Sequence, residues 1–320
     1  MAVYTHVPAE EMAVLLQRYG VGALRSAKGI AEGVENSNYL VEAEGGTRFI
    51  LTLYEKRVDA GDLPFFLALL DHLADRGLPV PRALRDGDGQ QIQTVCGRPA
   101  CLIEFLPGVS LSRPNPRQAR AAGEALGQMH AALADFPLER PNSLGPEGWH
   151  ALAARCGDAV DAIEPGLAQR IADELAFLDA HWPSGLPRAV IHADLFPDNV
   201  LVLGDSVTGM IDFYFACSEV RAWDVAVTHS AWAFSPDGRL CHDDIGRALI
   251  AGYAARFGLS DAERAALPVL ARGAALRFTL TRAWDWLNTP ADALVTRKDP
   301  LAFLRRLDAY AARGPEMFAA

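Results

Sequence analysis

Residues 191–217 read IHADLFPDNVLVLGDSVTGMIDFYFAC, and three polar side chains in this apolar stretch decide how the chain is read: Asp194, Asn199 and Asp212. Pro197 and its polar neighbours make 193–199 a loop between a short strand at Val190-Ile191 and a second strand, Val200–Leu203. The chain then turns through GDSVTG into a third strand, Gly209–Phe213. Hairpin pairing brings Asn199 close to Asp212, and both carry oxygen ligands suited to a hard cation such as Mg²⁺. Asp194, at the start of the loop, is left to face a hydroxyl. Phosphoryl transfer from a nucleotide asks for these parts: an acceptor that orients and deprotonates the nucleophile, and an amide and a carboxylate that hold the metal against the phosphates.

Outward from this stretch, the first third of the chain reads as β-rich. A short helix at 8–19 places Met12, Leu15, Leu16 and Tyr19 at helical spacing and stops at Gly20. Strands follow at 23–31, 36–43 and 48–54, the first two joined by a turn around Glu32-Gly33. A helix at 62–76 and strands near 90–95 and 99–105 complete this part. Beyond the Pro- and Ser-rich 106–116, helical patterns cover 116–134, 165–180, 223–234, 243–257, 261–286 and 299–312. We therefore expect an α+β chain with a β-rich lobe at 1–105 and a mostly helical lobe at 106–320 that carries a small buried hairpin.

The 320 residues include 40 acidic and 30 basic side chains, a formal charge of −10. That balance argues against non-specific nucleic-acid binding, which needs basic patches. Five cysteines with no C-x-x-C pair point to reduced thiols rather than to zinc or a disulfide scaffold. No apolar run suits a membrane span and the N-terminus lacks a signal-peptide pattern, so the expected setting is cytoplasmic.

HADLFPDN followed by IDF resembles the catalytic loop and metal-binding segment of the protein-kinase-like small-molecule kinases, the aminoglycoside phosphotransferase and choline kinase relatives. Within that superfamily the chain is most similar to the bacterial homoserine kinases of this fold, through 29–41, 49–55 and 192–217. The resemblance implies a two-lobed protein-kinase-like fold, an antiparallel sheet in the first lobe, and ATP and Mg²⁺ in the cleft. It makes Asp194 the catalytic base and Asn199 and Asp212 the Mg²⁺ ligands. The implied reaction phosphorylates the side-chain hydroxyl of L-homoserine, giving O-phosphohomoserine for threonine synthesis. Other acceptors of the superfamily (choline, ethanolamine, an aminoglycoside or a sugar) are the alternative, and a catalytically silent nucleotide-binding module is a third reading.

The first lobe departs from the kinase pattern. RFILTLYEK places Thr52 where a lysine usually stands, with Lys28 on the first strand and Lys56 beyond the strand end as lysines that could reach a phosphate, and helix 62–76 offers Asp71 and Asp75 in place of a glutamate. Ser37 and Asn38 are open between turn chemistry and nucleotide contact. Glu104 and Leu106 are the expected hinge residues, offering backbone groups to adenine. For an amino-acid acceptor, Arg221, Arg277 and Arg282 are candidates for its carboxylate, with Asp224 and Tyr214 also in view. Asp224 reads either as a buried helix-start residue or as an amine contact. His192 reads as a loop brace and His130 as a partner of its helix dipole. Asp198 and Asp205 read as turn residues, and Trp223, Trp232, Trp284 and Trp286 as core rather than as an aromatic cage.

Overall fold

In a computed structural model that describes residues 4–30, 36–55, 59–289 and 297–319, the chain divides into two units, Met1–Pro107 and Gly108–Ala320. The first unit opens with α1 (Ala9–Tyr19), whose buried Met12, Leu15, Leu16 and Tyr19 recur at helical spacing. It ends at Gly20 in the left-handed region, where the glycine N–H closes on the last carbonyls. Strands β1 (Leu24–Gly29), β2 (Ser37–Ala43) and β3 (Arg48–Leu53) follow, then α2 (Leu63–Asp75), β4 (Gln93–Val95) and β5 (Arg98–Glu104). They form one antiparallel sheet in the order β1-β2-β3-β5-β4. Alternation along β2 buries Ser37, Tyr39, Val41 and Ala43 on one face. The apolar residues of α1 pack with Tyr39, Val41, Phe49, Leu51 and Leu102 in one core. The Glu32-Gly33 turn and Lys56 lie outside the described residues.

The second unit contains β6 (Val109–Ser110), α3 (Pro116–Ala132), α4 (Pro146–Cys156), α5 (Leu167–His181), β7 (Arg188–Ile191), β8 (Val200–Leu203), β9 (Ser206–Met210), β10 (Cys217–Val220), α6 (Arg221–Trp232), α7 (Asp243–Arg256), α8 (Asp261–Asn288) and α9 (Leu301–Arg313). Two small antiparallel sheets form, β6-β8-β9 and β7-β10. Helix α6 is buried from Ala222 to Trp232, as its mixed apolar faces require. Helices α3 and α7 approach so closely that a Cβ at Gly123 would run into the Leu249 carbonyl. All five cysteines are free thiols. Among the described residues no helix is long and apolar enough to cross a membrane.

One local expectation is corrected. The third strand of the opening stretch ends at Met210 rather than Phe213, and residues 213–215 form a 3-10 turn. Helix α4 and strand β10 are two further elements, in segments with no expected structure. For α4 a signal was present: Pro146 sits in the first turn, and Trp149, Leu152 and Cys156 repeat on the buried side.

His229, on α6, shows how tightly this unit is closed. Its Nε2–H donates to the Met317 carbonyl at 3.1 Å, and its Nδ1 accepts from the Tyr310 hydroxyl at 2.7 Å. Both nitrogens are satisfied by the neutral ring. Burial pushes its pKa down from 6.5 to about 4. The unfolded chain therefore takes up a proton near pH 6.5 that the folded chain refuses until about pH 4, so stability falls as pH drops through that window. We expect this group to remove on the order of 2–3 kcal/mol between pH 7.5 and 4.5. Urea unfolding at the two pH values checks it: His229→Gln should show a correspondingly smaller loss, and equal losses in the two proteins would refute the assignment.

Candidate active site

The segment 192–199 leaves β7 and enters β8, while 211–216 leaves β9 and enters β10. These two connectors link the same two sheets and run side by side. The Ile211 N–H donates to the Asn199 carbonyl at 3.0 Å. The His192 Nε2–H donates to the Ile211 carbonyl at 3.1 Å, and its Nδ1 accepts the Asp194 N–H at 3.2 Å. This pattern fixes His192 as the neutral Nε2–H tautomer. Burial pushes its pKa down, against the pull of the Asp224 carboxylate. A second proton on Nδ1 would also face the Asp194 N–H. His192 is thus a brace tying the Asp194 loop to the residue beside Asp212.

Asn199 folds back on the loop start. Its Nδ2 donates to the Asp194 carbonyl at 2.8 Å and lies 3.4 Å from Asp194 Oδ2. The amide nitrogen being used this way, Oδ1 is left as an acceptor for a cation. Asp212 is exposed, one residue past the Ile211 junction, in the left-handed region at φ 64°. One amide oxygen and one carboxylate suit Mg²⁺, which commonly takes one or two protein ligands and fills its sphere with phosphates and water. Among the described residues no group of three or more His, Cys, Asp or Glu side chains could hold a metal without such help.

Beneath the loop lies Asp224, fully buried at the start of α6. Its Oδ2 accepts the His192 N–H at 2.8 Å and His130 Nε2 at 3.0 Å, and its Oδ1 accepts the Ala193 N–H at 2.8 Å. Burial alone would raise the carboxyl pKa, but the bond from His130 and the other donors hold it below the usual range. His130 is therefore no dipole partner. It bridges the Tyr253 hydroxyl and Asp224 inside the core. Ala193 adopts φ 61°, a conformation that costs an L-residue roughly 1–2 kcal/mol. Asp224 below and Arg277 beside it hold it there.

Arg277 comes from α8 and is 2% exposed. It donates to the Ala193 carbonyl, and its Nη2 stands 3.9 Å from Asp194 Oδ1. The other expected substrate arginines divide. Arg221 is locked to the buried Glu263 through Nε and Nη2, at 3.1 and 2.6 Å. Arg282 is partly exposed and bonds the Asp299 carbonyl at 3.1 Å. Asp224 and Arg221 are thus spent on the protein's own groups rather than turned toward a substrate. Tyr214 is half-buried beside Asp212. The tryptophans form no cage: Trp223 and Trp232 are buried, and Trp284 lies under the Arg155 guanidinium.

In the first unit the expected nucleotide residues serve largely local roles. Ser37 Oγ accepts from the Tyr4 and Thr5 N–H groups and donates to Glu55. Thr52 Oγ1 donates to Asn38 Oδ1 at 2.8 Å, across the β2–β3 pair. Glu104 exchanges bonds with the Arg82 backbone, and Leu106 lies past the end of β5. Lys28 is exposed. Asp71 and Asp75 pair with Arg85 and Arg82, so neither plays the part of a helix glutamate reaching for a strand lysine.

Asp224→Asn would turn an amide N–H against a backbone N–H and remove a buried charge from its donors. We expect a loss of about 3 kcal/mol in unfolding free energy and a fall in turnover of more than about tenfold. Unfolding and rate measurements on the same preparation check this. Wild-type values for both would mean that the loop stands without its anchor.

The model of the phosphotransferase enzyme family matches residues 26–259. The chain is 57% identical to the homoserine kinase of Zymomonas mobilis, over 97% of both chains. It is 53% identical to that of Methylobacterium radiotolerans, over 96% of this chain and 95% of the other. Among solved structures it is similar to a spectinomycin phosphotransferase in complex with ADP and spectinomycin, with a TM-score of 0.72 and 15% identity over 98% of this chain and all of that one. That last likeness speaks to the fold alone. With a loop that sets Asp194, Asn199 and Asp212 on two adjoining connectors, and with relatives more than half identical along nearly its whole length, the chain belongs to the phosphotransferase enzyme family.

Proposed function

We propose that this chain transfers the γ-phosphoryl group of ATP to the side-chain hydroxyl of L-homoserine, giving O-phospho-L-homoserine and ADP. One observation carries the reading. Relatives that are 52–57% identical over 95% or more of this chain are homoserine kinases. The site geometry supports the same chemistry.

Asp194 is the residue that accepts the hydroxyl proton. The Asn199 amide and the Arg277 guanidinium fix its carboxylate from two sides. The acceptor oxygen attacks the γ-phosphorus, the bond to the β–γ bridging oxygen breaks, and ADP carries away that electron pair. Asn199 and Asp212 would hold Mg²⁺, which supplies positive charge against the phosphate oxygens when bound. The protein's own contribution is positional: the two connectors are bonded to each other, so the proton acceptor and the metal ligands share one frame.

Coupled ADP release with ATP and Mg²⁺ over homoserine, choline, ethanolamine, serine and kanamycin tests the acceptor. Homoserine should give the dominant rate, and a dominant rate with another acceptor would overturn the substrate. Asp194→Asn should lower kcat by about 10²–10⁴-fold, as loss of a general base does, with nucleotide binding nearly unchanged. Turnover close to wild type in that variant would remove the base assignment.

A further inference from the structure

Several arginines of the second unit are buried or partly buried, and some of them meet carboxylates. Arg221 pairs with Glu263, Arg272 with Glu174, and Arg277 with Asp194. Arg282 and Arg306 do not. Arg282 bonds the Asp299 backbone carbonyl, while the Asp299 carboxylate is taken by Arg305 and the Leu301 N–H. Arg306, 3% exposed, bonds the carbonyls of Ser230, Ser235 and Pro236, and its Nε is buried without a hydrogen-bond partner among the described residues. A buried guanidinium with no carboxylate in direct contact is costly to keep. The buried Arg306 and the partly exposed Arg282, neither in direct contact with a carboxylate, stand together: Arg282 lies 4.5 Å and Arg306 4.0 Å from the centre of the same Phe303 ring.

That ring ties the pair to the Asp194 loop. Phe196, inside the loop, lies 5.0 Å from Phe278 and 6.1 Å from Phe303. Burial lowers the Arg282 pKa to about 10 against the pull of Asp299, Asp194 and Asp198. Arg306, itself lowered to about 10 by burial, feels the Arg282 charge. Arg282 is thus the more exposed member of a cation pair whose field reaches the residue that faces the acceptor hydroxyl.

We propose that Arg282, backed by Arg306, forms the subsite that takes the α-carboxylate of the acceptor. The inference rests on the reading of this chain as a kinase of an amino-acid alcohol, and it names the residue that selects the amino acid over the bare amino alcohol. A planar guanidinium fork matches a carboxylate in two parallel bonds. The second cation behind it, bonded to backbone carbonyls rather than to a carboxylate, adds positive charge there. Arg277 and Arg221 cannot serve, because their forks are already spent beneath the loop and on Glu263.

The test compares L-homoserine with 3-aminopropan-1-ol, which is the same molecule without the carboxylate, in wild type and in Arg282→Met. The variant should lose about 100-fold or more in kcat/KM for homoserine, mostly through KM, as loss of a charge-assisted forked contact does. The KM for ATP and kcat/KM for 3-aminopropan-1-ol should change by less than about threefold. Arg282→Lys, which keeps the charge without the fork, should fall between. Equal losses for both acceptors would overturn the subsite. So would a rise confined to the KM for ATP, which would reassign the pair to nucleotide phosphate. Calorimetric binding of L-2-aminobutyrate, which has the carboxylate but no hydroxyl, separates this proposal from the parent reading. Binding to wild type that is lost in Arg282→Met supports the subsite even if homoserine is not phosphorylated, and equal binding to both proteins overturns it even if homoserine is.

Discussion

The Asp224 carboxylate is the interaction on which the rest of the second unit's chemistry depends. It sits at the start of a wholly buried helix and presents two oxygens to the backbone N–H groups of His192 and Ala193. Those N–H groups have left the β7–β10 ladder and have no water to turn to, and leaving such a donor unpaired costs about 1–3 kcal/mol. With both satisfied by one rigid carboxylate, the chain can turn through the left-handed Ala193 and set Asp194 on the far side. Everything above is then positioned in sequence: Asp194 by Ala193, Asn199 by the Asp194 carbonyl, and Asp212 by the Ile211 bonds to Asn199 and His192.

Much of this was legible before the structure. The spacing of HADLFPDN and IDF located the loop and its partner strand, because a loop between two short apolar strands and a hairpin return leaves few places for three polar groups to go. Helical periodicity found α1, α2, α3 and α5 to α9, since each has one clear apolar face or sits between strong breakers. Other parts were not legible for physical reasons. MIDF looks like continuous strand, yet Asp212 takes φ 64°, and a left-handed turn at a non-glycine residue leaves no compositional mark. Strand β10 has four residues, too few for alternation to declare itself. Arg277 reaches Ala193 from 84 positions away, and nothing local on either segment announces the pairing. Of three arginines that looked equivalent in sequence, only burial and partners told which were already spent.

The charge distribution separates the whole from the part. The chain carries ten net negative charges, which as a global figure would disfavour anionic ligands. Near Asp194, however, stand the guanidiniums of Arg277 and Arg282. Fields at short range and low dielectric are set by the nearest few groups, not by the sum over the surface. Net charge thus informs about nucleic acid and solubility, and says little about a small anion held at one loop.

The span of these contacts along the chain bears on how the molecule comes to be made. The loop at 192–199 is held by groups from residues 224, 232 and 277, which emerge from the ribosome after it does. During synthesis the segment that will carry the chemistry waits, its backbone donors still bonded to water, until α6 and then α8 are available to receive it. Closing such loops costs chain entropy before the contacts repay it. The part of the chain most readily recognised in the sequence is therefore among the last to acquire its shape.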